Sequence, residues 1–202
     1  LIAGLCAAGV TVRHIGQVAS PHLYHAVVHG ELGGGVMVTG SHNPPEYNGF
    51  KIMVGPGSLH GDGIQRLYER IQTNDFHHPD QAGEVQPFDA ITPYERDVLE
   101  RLSPLSRPLK VVVDAGNGCG GLAVPVLRAQ GAEVVELFCE ADATFPNHHP
   151  DPTVEHNLID LKAAVAEHQA DVGIAFDGDV DRIGAVDERG QVIWGDLLTL
   201  LF

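Results

Sequence analysis

Apolar runs of strand length recur along the chain in alternation with amphipathic stretches, the pattern of an α/β protein with a largely parallel sheet. Two such series are visible. In the first, "SPHLYHAVVHGEL" predicts a helix, with Ser20 and Pro21 suited to its N-cap and first turn. "GVMV" and "FKIMV", rich in Val, Ile and Met, predict strands, and "SHNPPEYNG" predicts the loop between them. "DGIQRLYERIQ" predicts a second helix, whose Ile64, Leu67, Tyr68 and Ile71 form a stripe expected to be buried. The polar, turn-rich "TNDFHHPDQAGEVQPFDAITP" then places a boundary near residue 88. The second series runs through "KVVVDAGNGCGGLAVPVLRAQGAEVVELF", then "NLIDLKAAVAEHQ" with Leu158, Leu161 and Val165 on one face, then "DVGIAFDGDVDRIGAVDERGQVIW". The expected architecture is two consecutive three-layer α/β/α domains with mixed, mostly parallel sheets, residues 1–88 and 89–202.

Composition narrows the class. With 202 residues, 44% of them hydrophobic, the chain can bury a core for one large domain or two smaller ones. Its longest apolar runs fall far short of the roughly 18 residues of a membrane span, so no membrane partner is expected. Lys and Arg number 12 against 27 Asp and Glu, and the formal charge of −15 argues against nucleic acid as a partner. Cys6, Cys119 and Cys139 are odd in number and scattered, which disfavours a disulfide framework and fits a reducing cytoplasm. The chain opens on Leu1 and closes on "LLTLLF", from which a fragment of a longer protein is expected.

Four segments carry chemistry. Ser41 stands at a strand end on a loop, where its hydroxyl either satisfies a turn or is presented to a partner. Lys51 lies on the following strand, with Phe50, Ile52 and Val54 expected on the opposite, core-facing side. "VVVDAGNGCGG" matches G-x-G-x-x-G at Gly116, Gly118 and Gly121, with Glu136 ending the next strand. That context suits a dinucleotide, and equally a helix packed closely on a sheet; Pro125 either delays that helix or kinks it. "AFDGDVDR" sets Asp177, Asp179 and Asp181 at alternate positions after a strand, and three crowded carboxylates repel one another unless a cation sits among them. Oxygen-only ligands suit a hard metal such as Mg²⁺. A calcium loop of the EF-hand kind fails at its sixth position, which Arg182 occupies, while a phosphatase of the D-x-D kind would use Asp177 as nucleophile. Finally, His22, His25 and His29 share a helical face and His148 adjoins His149, without an acidic partner nearby in sequence.

Taken together, "TGSHNPPEYNGFK", "VVVDAGNG", "FPNHHPDP" and "DGDVDR" resemble the α-D-phosphohexomutase family, and within it the bacterial phosphomannomutase/phosphoglucomutase enzymes. The resemblance spans the whole chain. It implies that Ser41 is phosphorylated and donates the phosphoryl group. It also implies that Asp177, Asp179 and Asp181, together with the phosphate on Ser41, bind one Mg²⁺. His42 and Lys51 then match positions for proton transfer, and Arg182 a residue beside the phosphoserine. Val180 replaces a commonly smaller residue, with a local backbone adjustment expected. The implied reaction interconverts hexose 1-phosphate and hexose 6-phosphate, mannose and/or glucose, through a hexose 1,6-bisphosphate that also serves as activator. A phosphoserine carries about −1.5 to −2 charges, so a cation is needed to hold it against three carboxylates. The family's sugar-selective contacts lie in later domains, so this chain as given is expected to turn over hexose phosphates poorly. A nicotinamide-dependent oxidoreductase, a D-x-D phosphatase and a non-catalytic phosphosugar-binding module stand as alternatives.

Overall fold

The computed structural model describes residues 1–44 and 46–200; Pro45 of the serine loop and Leu201 and Phe202 of "LLTLLF" lie outside the described residues. The chain begins with α1 (Ile2–Ala7) and β1 (Val12–His14), then α2 (Ser20–His29). Three strands follow, β2 (Gly34–Thr39), β3 (Gly49–Val54) and β4 (Gly57–Ser58), then α3 (Asp62–Gln72), β5 (Val85–Pro87) and α4 (Ile91–Arg101). The second series comprises β6 (Lys110–Asp114), α5 (Val124–Ala129), β7 (Glu133–Leu137), α6 (Ile159–His168), β8 (Val172–Phe176), β9 (Ile183–Asp187), β10 (Val192–Ile193) and α7 (Gly195–Thr199). No helix among the described residues is long and apolar enough to cross a membrane.

The second series builds a five-stranded sheet in the order β10-β9-β8-β6-β7. The interior strand β6, between β8 and β7, is an unbroken apolar run through Val111, Val112 and Val113 because it is covered on both faces. Val112 packs with Leu158, Leu161 and Val165 beside α6, while Val111 and Val113 pack with Val124 of α5 on the other side. The stripe of Leu158, Leu161 and Val165 is thus buried as its spacing predicts. Gly173 lets α6 approach β8, since a Cβ there would lie 2.7 Å from Leu161 and Val165. The first series holds an antiparallel sheet β2-β3-β4, and α2 covers one face through Leu23 and Val27 against Met53.

The α/β class with mixed sheets stands, and the balance of pairing differs from the largely parallel expectation. Parallel pairs join β1 with β5 and β6 with both β7 and β8; β2-β3, β3-β4, β8-β9 and β9-β10 are antiparallel. Short loops join these consecutive strands, and a short loop permits only an antiparallel return. Three further expectations are corrected. Ile64, Leu67, Tyr68 and Ile71 of α3 are exposed, at 48%, 39%, 57% and 51%, and α3 buries none of its residues. An amphipathic pattern fixes which face of a helix is apolar, whereas burial also needs a facing element. On β3, Phe50 and Val54 face solvent, while Lys51 shares its side with buried Met53, toward α2. Ser20 is the first residue of α2, with Ala19 as the N-cap, and its side chain caps nothing.

Candidate active site

Two loops meet at the site: the one leaving β2, and the one between β8 and β9. Ser41 follows β2 in the left-handed conformation, φ 51°, with its N–H donated to Thr39 Oγ1 at 2.8 Å. Such a backbone costs a non-glycine residue about 1–2 kcal/mol. Here it accompanies a hydroxyl aimed at the second series, where Ser41 Oγ donates to Asp177 Oδ2 at 2.7 Å.

The loop from Asp177 to Arg182 wraps around its first residue. Asp177 Oδ1 accepts the N–H groups of Asp181 and Arg182, each at 3.0 Å, and the Val180 N–H donates to the Asp177 carbonyl at 3.1 Å. That turn forces Val180 to φ 64°, a costlier outcome for a β-branched residue than a mere local adjustment. Asp179 is buried, and its Oδ2 takes hydrogen bonds from Ser20 Oγ at 2.8 Å and Lys51 Nζ at 2.5 Å. Lys51 also reaches Asp181 Oδ2 at 2.6 Å and Ser20 Oγ at 3.1 Å. Asp179 Oδ1 is buried and makes no hydrogen bond among the described residues, and one carboxylate oxygen from each of the three aspartates falls within 4.8 Å of the others. Flanking strands, rather than helices, exclude the EF-hand geometry.

Burial pushes Asp177 above the usual carboxylate range despite the hydrogen bond from Ser41. Burial acts the same way on Asp179, but hydrogen bonds from Lys51 and Ser20 outweigh it and hold this carboxyl low. For Lys51, burial favours the neutral amine, and the carboxylates of Asp179 and Asp181 reverse that and raise it. Three carboxylates gathered around one lysine, with Asp179 Oδ1 free of hydrogen bonds among the described residues, are the setting of a cation site.

His42 and Arg182 complete the rim. His42 Nδ1 lies 3.3 Å from Ser41 Oγ, and its Nε2 lies 3.4 Å from an Arg182 guanidinium nitrogen. All seven residues singled out in the sequence, Ser41, His42, Lys51, Asp177, Asp179, Asp181 and Arg182, thus fall in one hydrogen-bonded constellation. Ser20 joins them unforeseen. A Ser-Pro pair opening a helix reads as a cap, and no local signal points to a carboxylate 159 residues away.

The glycine motif acts through backbone contact. A Cβ at Gly118 would lie 2.7 Å from the Gly178 backbone, one at Gly178 would lie 2.3 Å from the Ser41 carbonyl oxygen, and one at Gly121 would lie 2.5 Å from the Cys139 carbonyl. Cys119 N–H donates to the Gly178 carbonyl at 2.9 Å, joining the two loops. A 3₁₀ turn over Cys119–Ala123 follows, and Pro125 sits in the first turn of the short α5, so it delays the helix rather than kinking it. Glu136 pairs with Arg128 at 2.6 Å on the surface. His148 does have an acidic partner, distant in sequence: its Nε2 lies 3.0 Å from buried Asp114 Oδ2.

Family models for phosphoglucomutase/phosphomannomutase match twice, α/β/α domain I over residues 1–78 and α/β/α domain II over residues 91–190. A phosphomannomutase/phosphoglucomutase of Pseudomonas aeruginosa is 46% identical over 203 residues, covering 100% of this chain and 43% of the relative. A phosphoglucomutase of Neisseria meningitidis serogroup A is 45% identical over 200 residues, covering 98% of this chain and 43% of the relative. The crystal structure of a phosphoglucomutase/phosphomannomutase family protein from Burkholderia thailandensis superposes with a TM-score of 0.89 at 44% identity, covering 96% of this chain and 43% of that one. The chain thus spans less than half the length of these relatives.

Proposed function

The chain belongs to the phosphoglucomutase/phosphomannomutase family, and on that premise we propose that it carries the phosphoryl-transfer centre of a phosphohexomutase, with Ser41 as the residue that bears the phosphoryl group. The observation that carries this reading is the 2.7 Å approach of Ser41 Oγ to Asp177 Oδ2, which brings a loop hydroxyl of the first series onto the carboxylates of the second. We read the two series as two domains dividing near residue 88.

Asp177, Asp179 and Asp181 fit a hard divalent ion, because all donors are carboxylate oxygens and the buried Asp179 Oδ1 makes no hydrogen bond among the described residues. Mg²⁺ bound there with the phosphate on Ser41 supplies positive charge to the transferring phosphoryl oxygens. The chain's own residues do the positioning. Lys51 fixes Asp179 and Asp181, Ser20 fixes Lys51 and Asp179, and Arg182 with His42 lines the open side of the serine.

In the proposed reaction the free 6-hydroxyl of a hexose 1-phosphate attacks phosphorus, the bond from phosphorus to Ser41 Oγ breaks, and the hydroxyl proton passes to a protein base. The resulting 1,6-bisphosphate turns over in the site and returns its 1-phosphoryl to Ser41, while the freed sugar oxygen regains a proton. Mannose and glucose phosphates are the substrates this reading assigns. An aspartyl-phosphatase reading finds no support, since Asp177 is fully buried, spends Oδ1 on two backbone N–H groups and holds Ser41 with Oδ2.

The test is incubation with a hexose 1,6-bisphosphate carrying labelled phosphate, followed by site mapping. Label is expected on Ser41 and absent from Ser41→Ala, whose fold is checked by circular dichroism. Label retained by Ser41→Ala, or mapped to Asp177, would overturn the assignment.

A further inference from the structure

We propose that His25, His29 and Asp97 form a second metal site, one for a zinc-class transition ion, that clamps helix α2 to helix α4. His25 and His29 stand one turn apart on α2, the i,i+4 spacing that puts two imidazoles on one helical face. Their rings stack with centroids 4.2 Å apart and an interplanar angle of 25°. Asp97 arrives from α4, distant in sequence, and places Oδ2 3.5 Å from His25 Nε2. Two tetrahedral ligands about 2.0–2.1 Å from a zinc ion sit ~3.4 Å apart, so this pair already has the required separation. Donor atoms of all three residues lie within 4.8 Å of one another.

Two details favour a metal over a plain ion pair. His25 has a side chain only 11% exposed, yet its Nε2 is buried and makes no hydrogen bond among the described residues. Asp97 is oriented from behind, because Arg101 Nε donates to its Oδ1 at 2.9 Å and leaves Oδ2 turned to the imidazoles. A carboxylate held from outside and pointed at the donor set is the usual arrangement around a ligated ion. Two imidazole nitrogens and one carboxylate oxygen suit Zn²⁺ or Co²⁺ far better than Mg²⁺. The three residues line a cavity of about 380 Å³ walled by Phe88, Pro93 and Gly30, which leaves room for a water as fourth ligand. The consequence reaches the other site, since α2 also carries Ser20, whose hydroxyl holds Asp179.

The test is a Co²⁺ titration of the 202-residue chain in excess Mg²⁺, which occupies hard oxygen sites, followed by visible absorption. One equivalent is expected to bind saturably with tetrahedral bands that Zn²⁺ displaces, and Zn²⁺ is expected to raise the unfolding midpoint. Exposed His29 can be replaced without loss of core, so His29→Ala is the primary variant. His29→Ala and Asp97→Asn should each weaken binding at least about tenfold, and the control His156→Ala should leave it unchanged. Absence of saturable Co²⁺ and Zn²⁺ binding by the native chain, or native affinity in either ligand variant, overturns the proposal.

Discussion

Ser20 Oγ has two charged partners and no exposure to water, and that isolation sets the value of its bonds. Ser20→Ala leaves Lys51 and Asp179 each one bond short in a buried setting, and the expected cost is about 1.5–3 kcal/mol in urea unfolding. A cost of only a few tenths of a kcal/mol would mean that water replaces the hydroxyl and that the residue is incidental. The same residue marks the limit of what the sequence discloses. Ser41 and the three aspartates were legible because their chemistry is concentrated in short, unusual strings. Ser20 was not, because its string describes a helix start equally well. Lys51 fell between the two: alternation tells that it shares a face with Met53, and only the position of α2 decides that this face is the inner one. Val180 yields a second prediction. At φ 64° a β-branched side chain is strained, and Val180→Gly removes that strain at the lesser cost of added freedom in the unfolded chain. A net gain of about 1 kcal/mol is expected by the same urea measurement, and a loss would show that the Val180 side chain contributes packing that exceeds its strain.

Among the elements, those whose pattern reports a completed packing arrangement were read correctly, α6 and β6 above all, since their apolar positions match partners within the described chain. Helix α3 shows the converse, an apolar face that nothing described covers. The two- and three-residue strands β1, β4, β5 and β10 carry too few positions for any period to register, and β5 lies inside the stretch read as a linker. Pairing between distant elements was equally hidden. The loop "FPNHHPDP" is tied to the end of β6 by His148 and Asp114, and the carboxylate hydrogen bond raises the imidazole above its ordinary value. A raised folded-state value means that this bond's stabilisation is full below the unfolded value of about 6.5 and is lost as pH climbs through the folded one. The stability difference between the native chain and His148→Gln, read from thermal melts, should therefore be largest in mild acid and shrink toward alkaline pH. A difference that grows with pH would show that the histidine is bound as the neutral ring.

At the scale of the whole molecule, a formal charge of −15 makes the compact state repel itself. Raising monovalent salt from about 0.01 to 0.1 M shortens the screening length from ~30 to ~10 Å, so the urea midpoint should rise over that range, and equally with NaCl and choline chloride. A fall would mean that exposed ion pairs such as Arg107 with Asp171 outweigh the general repulsion. The last consequence concerns inheritance rather than energy. Gly118 abuts Gly178, and Gly178 abuts the Ser41 carbonyl, so three stretches far apart in the chain touch backbone to backbone. A side chain that collides with another side chain can be rescued when the neighbour becomes smaller. A collision with main chain has no such remedy, because no substitution shortens a peptide unit. In a saturation library of this chain, positions 118 and 178 should stand as two columns without survivors or second-site revertants, a vacancy that marks where the two halves of the gene can no longer vary independently.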